Sequence, residues 1–328
     1  MKCSLLIGIG LVAGWLQAAL PQEARNIELV KTLEGKGAFI RIEGDWLFLT
    51  SSVNTNAQPP GYWFDIGANP ASPKLVCASL PAAWDVAVKG QYAFVCDYTK
   101  FFSVYDTRDG QWRQVTKLRM PSMTENVIVR GNHAYVANHT AGLTIVDIST
   151  PSKPVIVSNF NPQIDCDAIG LWRDCAILYA HWESRLVLVD VSDPLKPRQI
   201  GLYQHDPKTF NQGEIEVDNG FAYCTAVNGL VIVNIVNPAE PKLVSTVLLN
   251  GGTTDVVVKD GYAFVAARNG ITVLDVRDPT HPTAVGSYPC AAAQLAVNKA
   301  NKSVYFIYVA TKKAPASILQ FRPAAPAS

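Results

Sequence analysis

The stretch from Thr254 to Gly286, TDVVVKDGYAFVAARNGITVLDVRDPTHPTAVG, decides the fold. Its apolar runs VVV, YAFVA, ITVLDV and TAVG are short and rich in β-branched and aromatic residues. DG, NG and DPTHP separate them. Short runs of that composition between Gly, Asn, Asp and Pro breakers are strands joined by tight turns. Four of them in succession make an antiparallel meander.

The same frame recurs along the chain. It reads WDVAVKGQYAFVCDYTKFFSVYD from Trp84 and ENVIVRGNHAYVANHTAGLTIVDISTPSKPVIV from Glu125. It returns as LWRDCAILYAHWESRLVLVDVSDPLKPRQIG from Leu171 and GEIEVDNGFAYCTAVNGLVIVNIVNPAEPKLV from Gly213. Aligned on the second strand, the copies start at Trp46, Tyr92, His133, Cys175, Phe221, Tyr262 and Ser303, at intervals of 41 to 46 residues. Four strands in that length is the size of a propeller blade. The seventh copy supplies only AQLAV, SVYFIYV and SILQF. NIELVKTLEG from Asn26 has the character of an outer strand, so residues 27–33 are expected to close the last blade and remove the open edge. The expected fold is an all-β, seven-bladed β-propeller of four-stranded antiparallel blades, occupying residues 20–322.

The segments GLTIVDISTPSKP, RLVLVDVSDPLKP, GLVIVNIVNPAEP and GITVLDVRDPTHP resemble the LVIVD repeat family of exported bacterial and archaeal propeller-like proteins. The resemblance extends over six of the seven copies. It implies the fold and an extracytoplasmic setting, and it brings no catalytic residues. Copy two departs from the pattern, reading TRDGQWRQ in place of the Pro pair, and copy seven lacks the Asp and Pro signature. A WD-type propeller is disfavoured, because the one Trp84-Asp85 pair precedes an inner strand.

Composition agrees with an exported globular chain. The 328 residues are 48% hydrophobic and carry 28 Lys plus Arg against 27 Asp plus Glu, which argues against a nucleic-acid partner. Lys2, the apolar stretch Leu5–Leu16 and small Ala18 and Ala19 have the layout of a secretory signal, residues 1–19, too short for a membrane span. A periplasmic, cell-surface or extracellular monomer without a membrane span is expected, with a Pro/Ala tail over 323–328. Six cysteines remain after cleavage, without CxxC spacing, and are read as small buried hydrophobes. Cys166 and Cys175 fall at opposite ends of an inner strand and are expected to be unbonded to each other.

Several conspicuous residues have architectural readings. Asp65, Asp106, Asp147, Asp190, Asn234 and Asp275 occupy one frame position beside a turn, where side-chain oxygens cap backbone N–H groups. The Pro-x-x-Pro pairs fall once per blade in the third turn, where Pro fixes φ.

The connections entering each inner strand and those between second and third strands share one face, termed the top. Tyr98, His139, His181 and Arg268 hold equivalent top-loop positions, flanked by Asp97, Asn138, Trp182, Glu183 and Arg185. The residue before each inner strand gives a second ring: Asp85, Asn126, Glu214, Asp255 and Gln294, interrupted by Phe39 and Ala168. Inserts at 51–60 and 204–212 enlarge top loops, and Asn138 and Asn301 head glycosylation sequons. Aromatic and arginine-rich loops suit recognition of a protein, glycan or small molecule, so a non-catalytic binding or scaffold module is the expected function. A hydrolase or lyase with an Asp or Glu acid/base assisted by His139 or His181 is the alternative. A metal held by those two histidines and a carboxylate is the third reading, set aside because neighbouring blades separate them. No motif names a cofactor.

Overall fold

The computed structural model describes residues 16–17, 24–50, 61–206, 208–249, 251–301, 303–311 and 314–323. The signal-like segment (apart from Leu16–Gln17), the 51–60 insert and most of the tail lie outside the described residues. The protein is a seven-bladed β-propeller of four-stranded antiparallel blades. Inner strands begin blades one to seven at Phe39–Glu43, Asp85–Lys89, Asn126–Arg130, Ala168–Trp172, Phe210–Asp218, Thr253–Lys259 and Gln294–Asn301. The 204–212 insert is partly absorbed into structure, since the inner strand of blade five starts early, at Phe210.

The second strands start where the repeat frame puts them, with a one-residue shift to Val304 in blade seven. They are the dry layer: Val304–Ala310 is buried throughout, and so is Cys175–Ala180. Outer strands such as Lys74–Leu80 are mostly exposed. Side chains alternate across each sheet and bury against both neighbouring blades, so continuous apolar runs are required in the middle strands.

Ile27–Thr32 pairs antiparallel with Ser317–Phe321 and completes blade seven, as the outer-strand character of NIELV requires. Ile27 packs in the core between blades six and seven, Leu33 in the core between seven and one. Leu16–Gln17 adds a short parallel edge to the outer strand of blade five.

The six frame-position residues read as turn caps accept the backbone N–H two residues on, at 2.7 to 3.1 Å: Asp65, Asp106, Asp147, Asp190, Asn234 and Asp275. The Pro turns carry a further role. The carbonyls of Pro70, Pro194 and Pro279 accept hydrogen bonds from Tyr308, Ser158 and Ser245 of the preceding blade, at 2.6 to 2.7 Å. All six described cysteines from Cys77 to Cys290 are free, Cys166 and Cys175 among them.

Candidate functional site

The inner ring proves to be largely a clamp between blades. Asp85 Oδ2 accepts the Val127 N–H at 2.9 Å, and Asn126 Oδ1 accepts that of Ile169 at 3.3 Å. Asp255 Oδ2 takes Leu295 N–H at 2.6 Å and Gln294 Oε1 takes Ile40 N–H at 3.1 Å. Asp85, Asn126 and Gln294 are the first inner-strand residues of their blades and Asp255 the third, and each binds the second inner-strand residue of the next blade. Phe39 and Ala168 carry no acceptor, and Glu214 instead receives Gln294 Nε2 at 3.2 Å.

These residues line a central cavity of about 520 Å³ whose carboxylates outnumber its cations. Arg41 projects among them, 40% exposed to the channel, 3.4 Å from Glu43 and 4.0 Å from Asp85. Burial pushes Asp255 and Glu216 up to about 7 and holds Glu214 well above the usual carboxylate range. Burial also raises Asp85 despite Arg41, while Asp85 fixes the Arg41 charge more firmly.

The top mouth gathers a different set. Phe39, Trp84 and Tyr98 form a continuous aromatic run, with centroids 4.5 Å apart at both contacts and Trp84 stacked on Tyr98. His139 meets Tyr98 edge-on at 6.3 Å. Tyr98 and His139 both have left-handed backbones, φ 60° and 43°, which turn their side chains at the tips of tight loops. His139 Nε2 lies 3.7 Å from Glu125, and its Nδ1 lies 3.7 Å from Asp165 without a hydrogen-bond partner. His181 Nδ1 is 2.6 Å from Asp167 Oδ2, which also accepts the His181 N–H at 3.1 Å. Trp182 lies against the His181 ring and is 70% exposed. Burial, reinforced by the charges of Asp167 and Asp165, pushes Glu125 up to about 9, so it is protonated at neutral pH.

The top-loop expectations therefore divide. Tyr98, His139, His181 and Trp182 belong to the mouth. Asp97 caps its own turn through Thr99 N–H at 3.0 Å, and Glu183 offers its carbonyl to Gln204. Arg185 binds Gln204, and Arg268 is exposed on blade six with no side-chain contact to the cluster among the described residues. Asn138 is fully buried, its side chain binding Ser122 and Met123, so its sequon offers no glycan attachment point. The two histidines pair with different carboxylates. Among the described residues no group of three or more His, Cys, Asp or Glu is arranged to hold a metal ion.

Glu125, Asp165, Asp167 and Trp84 were not singled out by the sequence reading, although a signal exists. Trp84, Glu125 and Asp167 stand one residue before the inner ring in blades two to four. The same position reads Ala38, Gly213, Thr254 and Ala293 in the other blades. At this position, large and acidic side chains are thus confined to three consecutive blades.

A seven-bladed ring whose polar mouth is built on one sector is the class that fold and site define. The LVIVD repeat model matches residues 82–106, 121–162, 179–205, 212–248 and 250–289, and the chain belongs to this family. The matches fall in blades two to six, fewer copies than the resemblance suggested. No curated protein sequence matches the chain. Solved structures share the fold at low identity. One is described as a candidate 6-phosphogluconolactonase from Bacteroides fragilis (11% identity, TM-score 0.66, covering 85% of this chain and 95% of that one). Another is a functionally unknown protein from Desulfotomaculum acetoxidans (14%, TM-score 0.60, 87% and 99%). The computationally designed Ika8 protein is a third (11%, TM-score 0.60, 87% and 83%). Among the described residues no helix is long and apolar enough to cross a membrane.

Proposed function

We propose that the chain is an exported recognition module that takes its ligand on the top face over blades two to four, without catalysis. The observation that carries this is the sector asymmetry: Trp84, Glu125 and Asp167 stand where the other blades have Ala38, Gly213, Thr254 and Ala293, and Tyr98, His139 and His181 lie in the adjoining loops. Exposed Trp182 and half-buried Tyr98 offer rigid aromatic surface at small entropic cost. The signal-like layout of residues 1–19 supports export.

A phosphorylated lactone, the substrate type in the name of the Bacteroides protein, suits this mouth poorly. The ion-pair partners of Glu125, Asp165 and Asp167 among the described residues are histidines alone. A hydrolase or lyase is the second reading, favoured by protonated Glu125 beside Asp167, carboxyls of the kind that divide acid and base roles.

The test is a thermal-shift screen of neutral sugars, organic anions and organic cations against the purified mature chain, repeated on Tyr98→Ala and Trp182→Ala. A ligand that raises the melting temperature of the parent and not of these variants supports the top-face reading. Ligands whose effect survives both substitutions, or is lost on substituting bottom-face His133, would overturn it. Turnover abolished by Glu125→Gln would favour the second reading.

A further inference from the structure

We infer that the cluster of Tyr98, Glu125, His139 and Asp165 at the top mouth is a binding site for an organic cation, an ammonium or guanidinium group, an inference that rests on the top-face reading above. Three carboxyl groups meet there: Glu125 from the approach to blade three, and Asp165 and Asp167 from the approach to blade four. Asp167 is taken by His181. Glu125 is not taken. Its side chain is 4% exposed, it forms no hydrogen bond among the described residues, and its ion-pair contact with His139 is long, at 3.7 Å. A carboxyl so enclosed and unpartnered is costly unless a ligand supplies the missing donor. Asp165 remains 30% exposed at the rim, within reach of an entering group.

The aromatic run completes the requirements of a cation. Tyr98 stacks on Trp84 and meets His139, the histidine beside Glu125 and Asp165, edge-on, and aromatic faces attract ammonium and guanidinium groups. A guanidinium also matches two carboxyls through its forked donors. An anion would meet like charge at Asp165 and Asp167 and would offer Glu125 no donor, and a neutral sugar would leave the Asp165 charge uncompensated.

Binding has a protonic signature. The groups facing Glu125 are His139, Tyr98, Asp165 and Asp167, the last holding His181. In the free protein Glu125 carries its proton up to about pH 9. An arriving cation stabilises the carboxylate, so the O–H bond of Glu125 breaks, its electron pair stays on the carboxyl and the proton leaves to solvent. Affinity should therefore rise with pH and level off near about 9.

The experiment is calorimetric titration of the mature chain with agmatine, a free amine that also carries a guanidinium, and with a capped Arg/Lys hexapeptide, in phosphate and in the zwitterionic buffer HEPES, which differ in ionisation enthalpy. Maltose and glucose 6-phosphate serve as neutral and anionic controls. Whichever cation source binds, its dissociation constant should fall by about three- to tenfold per pH unit between roughly pH 6.5 and 8.5, with a proton released. Glu125→Gln should abolish both the release and the pH slope, and Tyr98→Ala should weaken binding by about three- to tenfold. Absent saturation by either cation, or affinity independent of pH without proton release, would overturn the inference. Maltose binding that depends on Tyr98, with no cation binding, would overturn the cation and leave the top-face reading standing. Binding indifferent to Tyr98, Glu125 and Trp182 would sink both.

Discussion

Asp255 looks like a ligand-seeking carboxylate in the sequence and acts as a blade clamp in the fold. It accepts Val256 N–H at 2.7 Å and Leu295 N–H at 2.6 Å, so Asp255→Ala orphans two buried donors. Unsatisfied buried groups cost about 1–3 kcal/mol, and urea unfolding of that variant should show a loss of this order. Asp255→Asn should recover only part of it, because its amide has one acceptor oxygen, enough for the bond to the next blade that Asn126 also makes but not for Val256 N–H as well. If Asp255→Ala unfolds at the parental midpoint, the ring has no clamping role. The polarity of this position was legible because every copy shares its frame. Its partner was not, since the donor lies 40 residues away in the next blade. The turn caps were legible for the opposite reason: Asp147 and Ser149 N–H are two residues apart, and the side chain decides the contact locally.

At the scale of elements, the closing strand was legible because NIELV copies the outer-strand pattern while the last copy lacks one. What the pattern could not show is a bulge between third and outer strands, present in all seven blades. A bulge raises local twist, and it leaves little trace in a strand that is mostly exposed and polar. The closing strand reaches three blades, through Ile27 and Leu33 in separate cores. Ile27→Ala should therefore lower stability by about 2–4 kcal/mol, the usual cost of a core truncation. Deleting residues 27–33 should open the edge of blade seven and lower solubility as well as the melting temperature. A deletion variant with parental melting and solubility would contradict closure by this strand.

For the whole molecule, the repeat concealed the site by encouraging comparison of the first inner-strand position alone, where polar residues run round most of the ring. One residue earlier, the chain breaks its own symmetry at Trp84, Glu125 and Asp167. The buried carboxyls of this mouth and of the central cavity have a consequence for stability. Glu125 is raised to about 9, and Asp255 and Glu216 to about 7, each chiefly by burial. Between their ordinary values near about 4 and these raised ones, the native ring holds protons that the unfolded chain has released. Their stabilising contribution is complete below about pH 4 and is lost as pH rises through 7 and then 9. Asp106 is lowered chiefly by the Arg108 guanidinium, and Asp147 and Asp190 by the turn N–H groups of Ser149 and Ser192, so their contribution is lost as pH falls through the acid range. That contribution is small because these groups are solvated. Calorimetric melting should peak on the acid side of neutrality and decline towards pH 9. Glu125→Gln should match the parent near about pH 4.5 and exceed it by roughly 1–3 kcal/mol at the alkaline end, where the parent alone must bury an ionising carboxyl. A profile that is flat or rises from neutrality would contradict the dehydrated placement of these carboxyls. Stability given up at Glu125 is what the proposed ligand site would impose on its scaffold. The same substitution that steadies the ring should therefore remove the pH slope of cation binding.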